Sequence, residues 1–250
     1  MASTSIPLHA PEPLTIDVAG HPLMLCPERA VFDPDSATLF VADAHLGKEI
    51  VFHARGVPVP RGVSASTLSR LTDLLLRYPA RRLVFLGDLL HAREAQSPEI
   101  LDAMRLWRDA HAPLEVVLIT GNHDRHAGLP PTSLGIAVHD EPWLIAPWAC
   151  CHYPMQTPGH YALAGHEHPV FTVRTGADAV RLPCFHFGAD VGVLPAFGDF
   201  TGGHPVRRAR QRIFVIAEDR VLAVPVRHGP RRERVSAVIA DTLDLPRGDR

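Results

Sequence analysis

Apolar residues follow two rhythms along this chain, and the change between them falls near residue 130. Before it, short apolar runs alternate with segments of helical spacing. Leu14–Val18, Pro22–Leu25, Ala30–Phe32 and Thr38–Ala42 read as strands, with turns at Gly20 and at Asp33-Pro34-Asp35-Ser36. Leu68, Leu71, Leu74 and Leu75 share one face of a helix that Ser64 can cap and that runs to about Tyr78. Leu83–Leu86 is the next strand. Ser97-Pro98-Glu99 joins a cap residue, a proline at the first helical position and an acidic first turn, and leads into a helix over Ile100–Ala110. Val116–Ile119 is a further strand. Strand, helix, strand, helix, strand predicts parallel pairing by right-handed crossovers, with functional side chains at the carboxyl ends. Gly47–Gly62, which contains Pro58 and Pro60, reads as an irregular loop overhanging those ends.

After Pro130-Pro131 no helical spacing intervenes. Strands near Ile136–Val138, Trp143–Ile145, Ala162–Leu163, Val170–Arg174, Val180–Leu182, Ile213–Ala217 and Val221–Val224 alternate with turns. They predict a second, mixed sheet packed on the first, a layered α/β sandwich. Residues 1–226 read as one domain and 227–250 as a charged, flexible tail.

Metal-binding side chains punctuate this pattern. Five islands occur in order, most of them after an apolar run: Asp43-Ala44-His45, Gly87-Asp88, Gly121-Asn122-His123-Asp124, His152, and Gly165-His166-Glu167-His168. They offer two Asp, one Asn and four His as ligands, with His123 to spare. That inventory suits two divalent cations sharing a carboxylate, a site that hydrolyses phosphate esters. Asp43 and His45, two apart on an extended segment, point to the same side. Asp88 is placed to bridge, and Gly87 before it leaves room for a cation. His166 and His168 flank one residue and can each reach a different ion. Taken singly these signals are weak: a Gly-Asp is usually a turn, and a buried His is more often a core residue. Sixteen histidines also raise the number of accidental pairs, and His9, His53, His111, His160, His186 and His228 read as ordinary. Five islands at strand ends in one order outweigh those objections.

Composition narrows the setting. At 46% hydrophobic and 21% charged, the chain has the balance of a globular protein with a sizeable core. A formal charge of −2 gives no whole-protein attraction for nucleic acid, so any such binding must use local patches. Arg207, Arg208, Arg210 and Arg212 form one candidate; Lys48, Arg55 and Arg61 form another, and Phe52 beside them either stacks on an unpaired base or anchors its loop. Among four cysteines the only close pair is Cys150-Cys151, and no C-x-x-C occurs, which predicts reduced thiols. Without a signal-like start or a long apolar run, the expected location is cytoplasmic, with no membrane contact.

The five islands resemble the pattern of the calcineurin-like metallophosphoesterases: D-x-H, G-D, G-N-H-D, a later H, and G-H-x-H. That resemblance implies an α/β fold, a layered αββα sandwich of two mixed sheets with a binuclear metal site at strand ends. It assigns Asp43, His45, Asp88 and His168 to one metal and Asp88, Asn122, His152 and His166 to the other. His123 becomes the catalytic, non-ligand histidine, oriented by Asp124. Further segments are similar to the bacterial DNA ligase-associated metallophosphoesterase family: DAHLGK at Asp43–Lys48, GVPVP at Gly56–Pro60, CHYP at Cys151–Pro154, GHEHP at Gly165–Pro169 and LPAFGDFTGG at Leu194–Gly203. This implies a manganese-dependent phosphodiesterase cutting single-stranded DNA, associated with a helicase, an exonuclease and a DNA ligase in repair. Oxygen and imidazole donors without thiolate also permit Fe, Zn or Co. The alternative reading is a phosphatase or a small-molecule or cyclic nucleotide phosphodiesterase, because the metal site does not encode the size of the leaving group.

Overall fold

The computed structural model describes residues 11–175, 178–207 and 211–225. The tail 227–250, and with it Arg208 and Arg210, lies outside the described residues. The first sheet takes its strands in chain order: β1 (Leu14–Val18), β2 (His21–Cys26), β3 (Ala30–Asp33), β4 (Thr38–Val41), β5 (Arg82–Phe85), β6 (Glu115–Ile119) and β7 (Ile136–His139). Pairing is antiparallel from β1 to β4 and parallel from β4 to β7. The parallel strands are apolar on both faces because both faces are covered. Leu39, Val41, Leu83, Phe85, Val116 and Leu118 pack under helices α2 (Val63–Arg77) and α3 (Pro98–Ala110), and the alternate residues Phe40, Ala42, Val84, Leu86, Val117 and Ile119 face the second sheet.

That second sheet contains β8 (Trp143–Ile145), β9 (Trp148–Cys150), β10 (Tyr161–Ala164), β11 (Pro169–Thr175), β12 (Asp178–Phe187), β13 (Val191–Val193), β14 (His204–Pro205), β15 (Arg212–Ala217) and β16 (Arg220–Val224). It is mixed: β9, β10 and β13 run parallel, and most other pairs are antiparallel. Trp148, Leu163, Phe185, Phe187 and Phe214 complete the core between the sheets.

Four expectations change. The strand near Ile136–Val138, expected in the second sheet, is β7 and pairs in parallel with β6 at the edge of the first, because the short link after α4 returns the chain beside β6. The four α-helices, including α1 (Lys48–Ala54) and α4 (Asn122–Ala127), all lie between residues 48 and 127, so a helical layer beyond the second sheet has no counterpart among the described residues. Residues 48–54, expected to be irregular, form α1; the prolines at 58 and 60 lie beyond its end. Ser64 does not cap α2. Gly62 holds that position at φ 78°, and Ser64 is buried against α1: its N–H and hydroxyl donate to Glu49 (2.8 and 2.9 Å) while its oxygen accepts from Gly47 N–H (2.8 Å). Tertiary contact overrode a local cap. Ser97 does cap α3, accepting from Ile100 N–H at 3.4 Å.

One buried bond ties the sheets together. Trp148 Nε1 on β9 donates to Asp33 Oδ2 on β3 at 2.8 Å. Trp148→Phe deletes a hydrogen bond to a charged acceptor and leaves a small void, so it should cost about 2–4 kcal/mol in a urea titration. A loss below about 0.5 kcal/mol would show that this bond contributes nothing net.

Candidate metal centre

Parallel pairing of β4 with β5 continues past the ends of both strands. Asp43 N–H donates to Gly87 O (3.2 Å), His45 N–H to Asp88 O (2.9 Å) and Leu46 N–H to Leu89 O (2.8 Å). The segments are kinked rather than extended: Asp43, His45 and Asp88 have φ of 53°, 48° and 52°. Following β10 of the other sheet, His166 and His168 do the same at 67° and 46°. Five of the seven expected ligands therefore adopt the left-handed region, and the side chains converge through these kinks, not through strand alternation. His166 N–H donates to Asp43 Oδ2 at 2.9 Å and joins the two sheets at the site.

Three donor clusters result among the described residues, each within 4.8 Å: Asp43, His45 and His168; Asp88, His152 and His166; and His45, His91 and His123, which shares His45 with the first. Backbone carbonyls set the rings. His152 Nδ1 donates to Leu86 O (3.1 Å) and His168 Nδ1 to Thr201 O (3.2 Å), so each Nε2 turns a lone pair inward. His152 Nε2 then faces Asn122 Oδ1 (2.9 Å), His166 Nδ1 (3.1 Å) and Asp88 Oδ1 (3.6 Å). His168 Nε2 faces His45 Nε2 (3.4 Å) and Asp43 Oδ1 (3.5 Å). Asp88 presents its other oxygen, Oδ2, to His45 Nε2 at 4.0 Å, and so turns one oxygen to each of the first two clusters. Asp43 is 0% exposed, and its Oδ1 has no hydrogen-bond partner. Lone pairs facing lone pairs around an unpartnered buried carboxylate oxygen fit divalent cations bound between them.

Electrostatics agree. Burial raises the pKa of Asp88, opposed by His152 and reinforced by Asp43. Burial holds His45 well below the ordinary imidazole range and also lowers His166. His168 is raised: Asp43 outweighs the effect of its own burial. Imidazoles held neutral at His45 and His166 and a costly carboxylate charge at Asp88 are what a cation relieves. At His168 a cation would have to displace the proton that Asp43 favours.

His123 stands beside the first two clusters. Its N–H donates to Asp88 Oδ1 (2.8 Å) and its Nδ1 donates to the carbonyl of His91 (2.6 Å). Asp124 does not orient that ring. Its buried carboxylate accepts instead from Leu90 N–H and Gly121 N–H, each at 3.0 Å, and so fixes the two loops against each other. His91, absent from the motif reading, is the main addition. It stacks on His123 with ring centroids 4.9 Å apart, its Nδ1 lies 3.4 Å from that of His45, and burial pushes its pKa down to about 4. Its position three residues after Asp88 was the available signal. Glu141 was missed too; it accepts from the N–H groups of His152 and Tyr153 (2.7 and 2.8 Å), and Tyr153 packs its ring 4.3 Å from that of His166.

The basic and aromatic candidates divide. Lys48 is buried, and burial lowers its pKa against the opposing pull of Asp43 and Asp88. Its ammonium lies 5.6 Å from the centre of the Phe52 ring, which meets His91 edge-on at 6.4 Å: Phe52 anchors α1. Arg55 and Arg61 are exposed. Arg212 is exposed and donates through Nη1 to Asp17 O at 2.8 Å.

Gly87 sits at φ 84°, and a Cβ there would fall inside the His152 ring. The glycine makes room for the imidazole of His152, not for a cation. Gly87→Ala should lose at least about 1–2 kcal/mol from the backbone alone, lower the thermal midpoint and weaken divalent-metal binding in calorimetric titration. An unchanged midpoint with unchanged metal affinity would refute this packing argument.

Comparison with known proteins follows the geometry. No family model matches the chain. No curated protein matches it either. Among solved structures it is similar to the crystal structure of Pseudomonas putida nuclease MPE, with 40% sequence identity and a TM-score of 0.76, over 85% of this chain and 100% of that one. Such identity across the whole length of that nuclease places this chain in the same family as Pseudomonas putida nuclease MPE.

Proposed function

We propose that this chain is a metal-dependent phosphodiesterase that cuts nucleic acid and would take two divalent cations. Asp43, His45, Asp88 and His168 would hold one; Asp88, Asn122, His152 and His166 would hold the other. The observation that carries the reading is the pair of inward-facing donor clusters meeting at Asp88, in a chain 40% identical to a nuclease. Oxygen and imidazole donors suit Mn, Fe, Zn or Co, and similarity to the ligase-associated family favours Mn²⁺. The same similarity favours single-stranded DNA as substrate, in cytoplasmic repair alongside a helicase, an exonuclease and a DNA ligase. No described helix is long and apolar enough to cross a membrane.

When bound, paired divalent cations lower the pKa of water towards about 7 and offset phosphoryl charge. The chain supplies the rest. Asp43 and Asp88 provide the negative charge that retains the cations, and the carbonyls of Leu86 and Thr201 keep two ligand rings in one tautomer. With Nδ1 of His123 committed to His91 O, its Nε2 is the atom that carries a proton to the leaving oxygen. The buried Lys48 ammonium adds positive charge beside the two carboxylates. No nucleophilic side chain is needed, and no covalent phospho-enzyme forms.

Parallel assays on single-stranded DNA, duplex, cyclic nucleotide, phosphomonoester and aryl phosphodiester, with and without Mn²⁺, test the reading; turnover confined to the monoester or the cyclic nucleotide would overturn it. Asp88→Asn should bind less metal by elemental analysis than His168→Ala, since it removes a charged bridge and not one neutral ligand. His123→Ala should slow DNA cleavage by about 10²–10⁴-fold, with a smaller loss on a nitrophenyl diester, whose leaving group departs unprotonated, and with metal content retained. Equal losses on both substrates would instead assign His123 to phosphoryl-oxygen stabilisation, and loss of metal would make it a ligand.

A further inference from the structure

We propose that Phe200 is a base-stacking platform, holding an unpaired nucleobase next to the scissile phosphodiester on the His168 side of the centre. The inference rests on the nucleic-acid reading above and specifies which part of a strand the site grips.

Phe200 is 52% exposed, although its loop is built into the site. Phe197 N–H donates to Ala42 O (2.8 Å) and Gly198 N–H to Asp43 O (3.1 Å), so the loop continues the strand end that carries the first ligands. Two arginines nail it down. Asp199, the preceding residue, accepts from Arg29 and Arg70 at 3.3 Å each. Arg29 also reaches Gly198 O (3.4 Å), and Arg70 covers the buried Phe197 ring at 4.6 Å. On the other side, the Thr201 carbonyl accepts from His168. Both neighbours of Phe200 are therefore fixed, one by cations and one by a candidate ligand.

Phe200 itself has φ 56°, a region that bulky residues rarely adopt. Five of the expected ligands share this conformation, and Phe200 is the one Phe, Tyr or Trp among the described non-glycine positions with positive φ. Such strain persists where the surroundings over-determine it, as at binding sites. Singly exposed apolar side chains are ordinary on a protein surface, and the cavity beside this ring is what sets it apart. Phe200 lines a cavity of about 160 Å³ shared with His168, Pro169, Arg29 and Thr201. That volume matches the scale, about 150 Å³, of a cavity that admits one benzene-sized ring. A nucleobase has such a ring, and stacking on an aromatic side chain tolerates any base. Bases in a duplex are already stacked on each other, so the platform selects single strands.

The test compares, on metal-loaded protein, the affinity for a phosphorothioate oligothymidylate with that for an abasic strand of the same length and charge. Equal charge cancels the phosphate contribution, so the affinity ratio reads the bases alone. The wild-type ratio should be about 5- to 150-fold. Phe200→Leu should bring it close to one, and Phe200→Tyr should keep it. A wild-type ratio of one overturns the platform without recourse to any variant; so does a folded Phe200→Leu protein with the wild-type ratio. If the wild-type protein shows the ratio but cleaves no strand, the nuclease reading fails and the platform stands. Cleavage with a ratio of one is the reverse result.

Discussion

Hydrogen bonding between the chain after β4 and the chain after β5 is the interaction on which the rest of the site depends. It brings Asp43 and Asp88 into one dry cleft between the sheets, where their charges repel and neither is well solvated. Inward-facing imidazoles add lone pairs, not protons. The polypeptide half of the centre is thus electrostatically incomplete, and divalent cations are what the donor set suits. Only a stiff surround can keep such a group from relaxing. The twofold-buried strands β4, β5 and β6, closed by helices on one face and by the second sheet on the other, provide that stiffness.

Backbone strain makes the demand larger. Left-handed conformations at five of the expected ligand positions each cost up to about 1–3 kcal/mol. The residue types moderate this, since Asp and His tolerate the region better than most side chains do. What remains is offset by the ladder bonds that continue through the kinks and by the core beneath them.

Ring orientation is the third element. His123, His152 and His168 each donate through Nδ1 to a backbone carbonyl, those of His91, Leu86 and Thr201. A carbonyl in each of those places takes up the Nδ1 proton and fixes the tautomer. For His152 and His168 this turns Nε2 to the donor clusters, and for His123 it commits Nδ1 to the backbone. Asp124 contributes at one remove, by clamping the two loops that carry Asp88 and His123.

The amino-acid sequence by itself determined the strand–helix alternation of the first half, the all-strand second half, and the residues that could hold metal, because burial periodicity and ligand chemistry are local properties. It identified Asp43, His45, Asp88, Asn122, His152, His166 and His168 as a group, and the structure brings all seven together. Only the tertiary structure decided how they meet. The left-handed kinks at Asp43, His45 and Asp88 lie within a pairing of segments some 45 residues apart, which no local pattern encodes. The same holds for Ser64, drawn from a cap to a buried bond with Glu49. It holds for Gly87, whose missing side chain makes room for an imidazole 65 positions away. His91 entered the site, and Asp124 moved from ring to backbone, because contacts across loops set which group a side chain can reach. Spacing along the chain states which chemistry is available; packing between distant segments states which atom faces which.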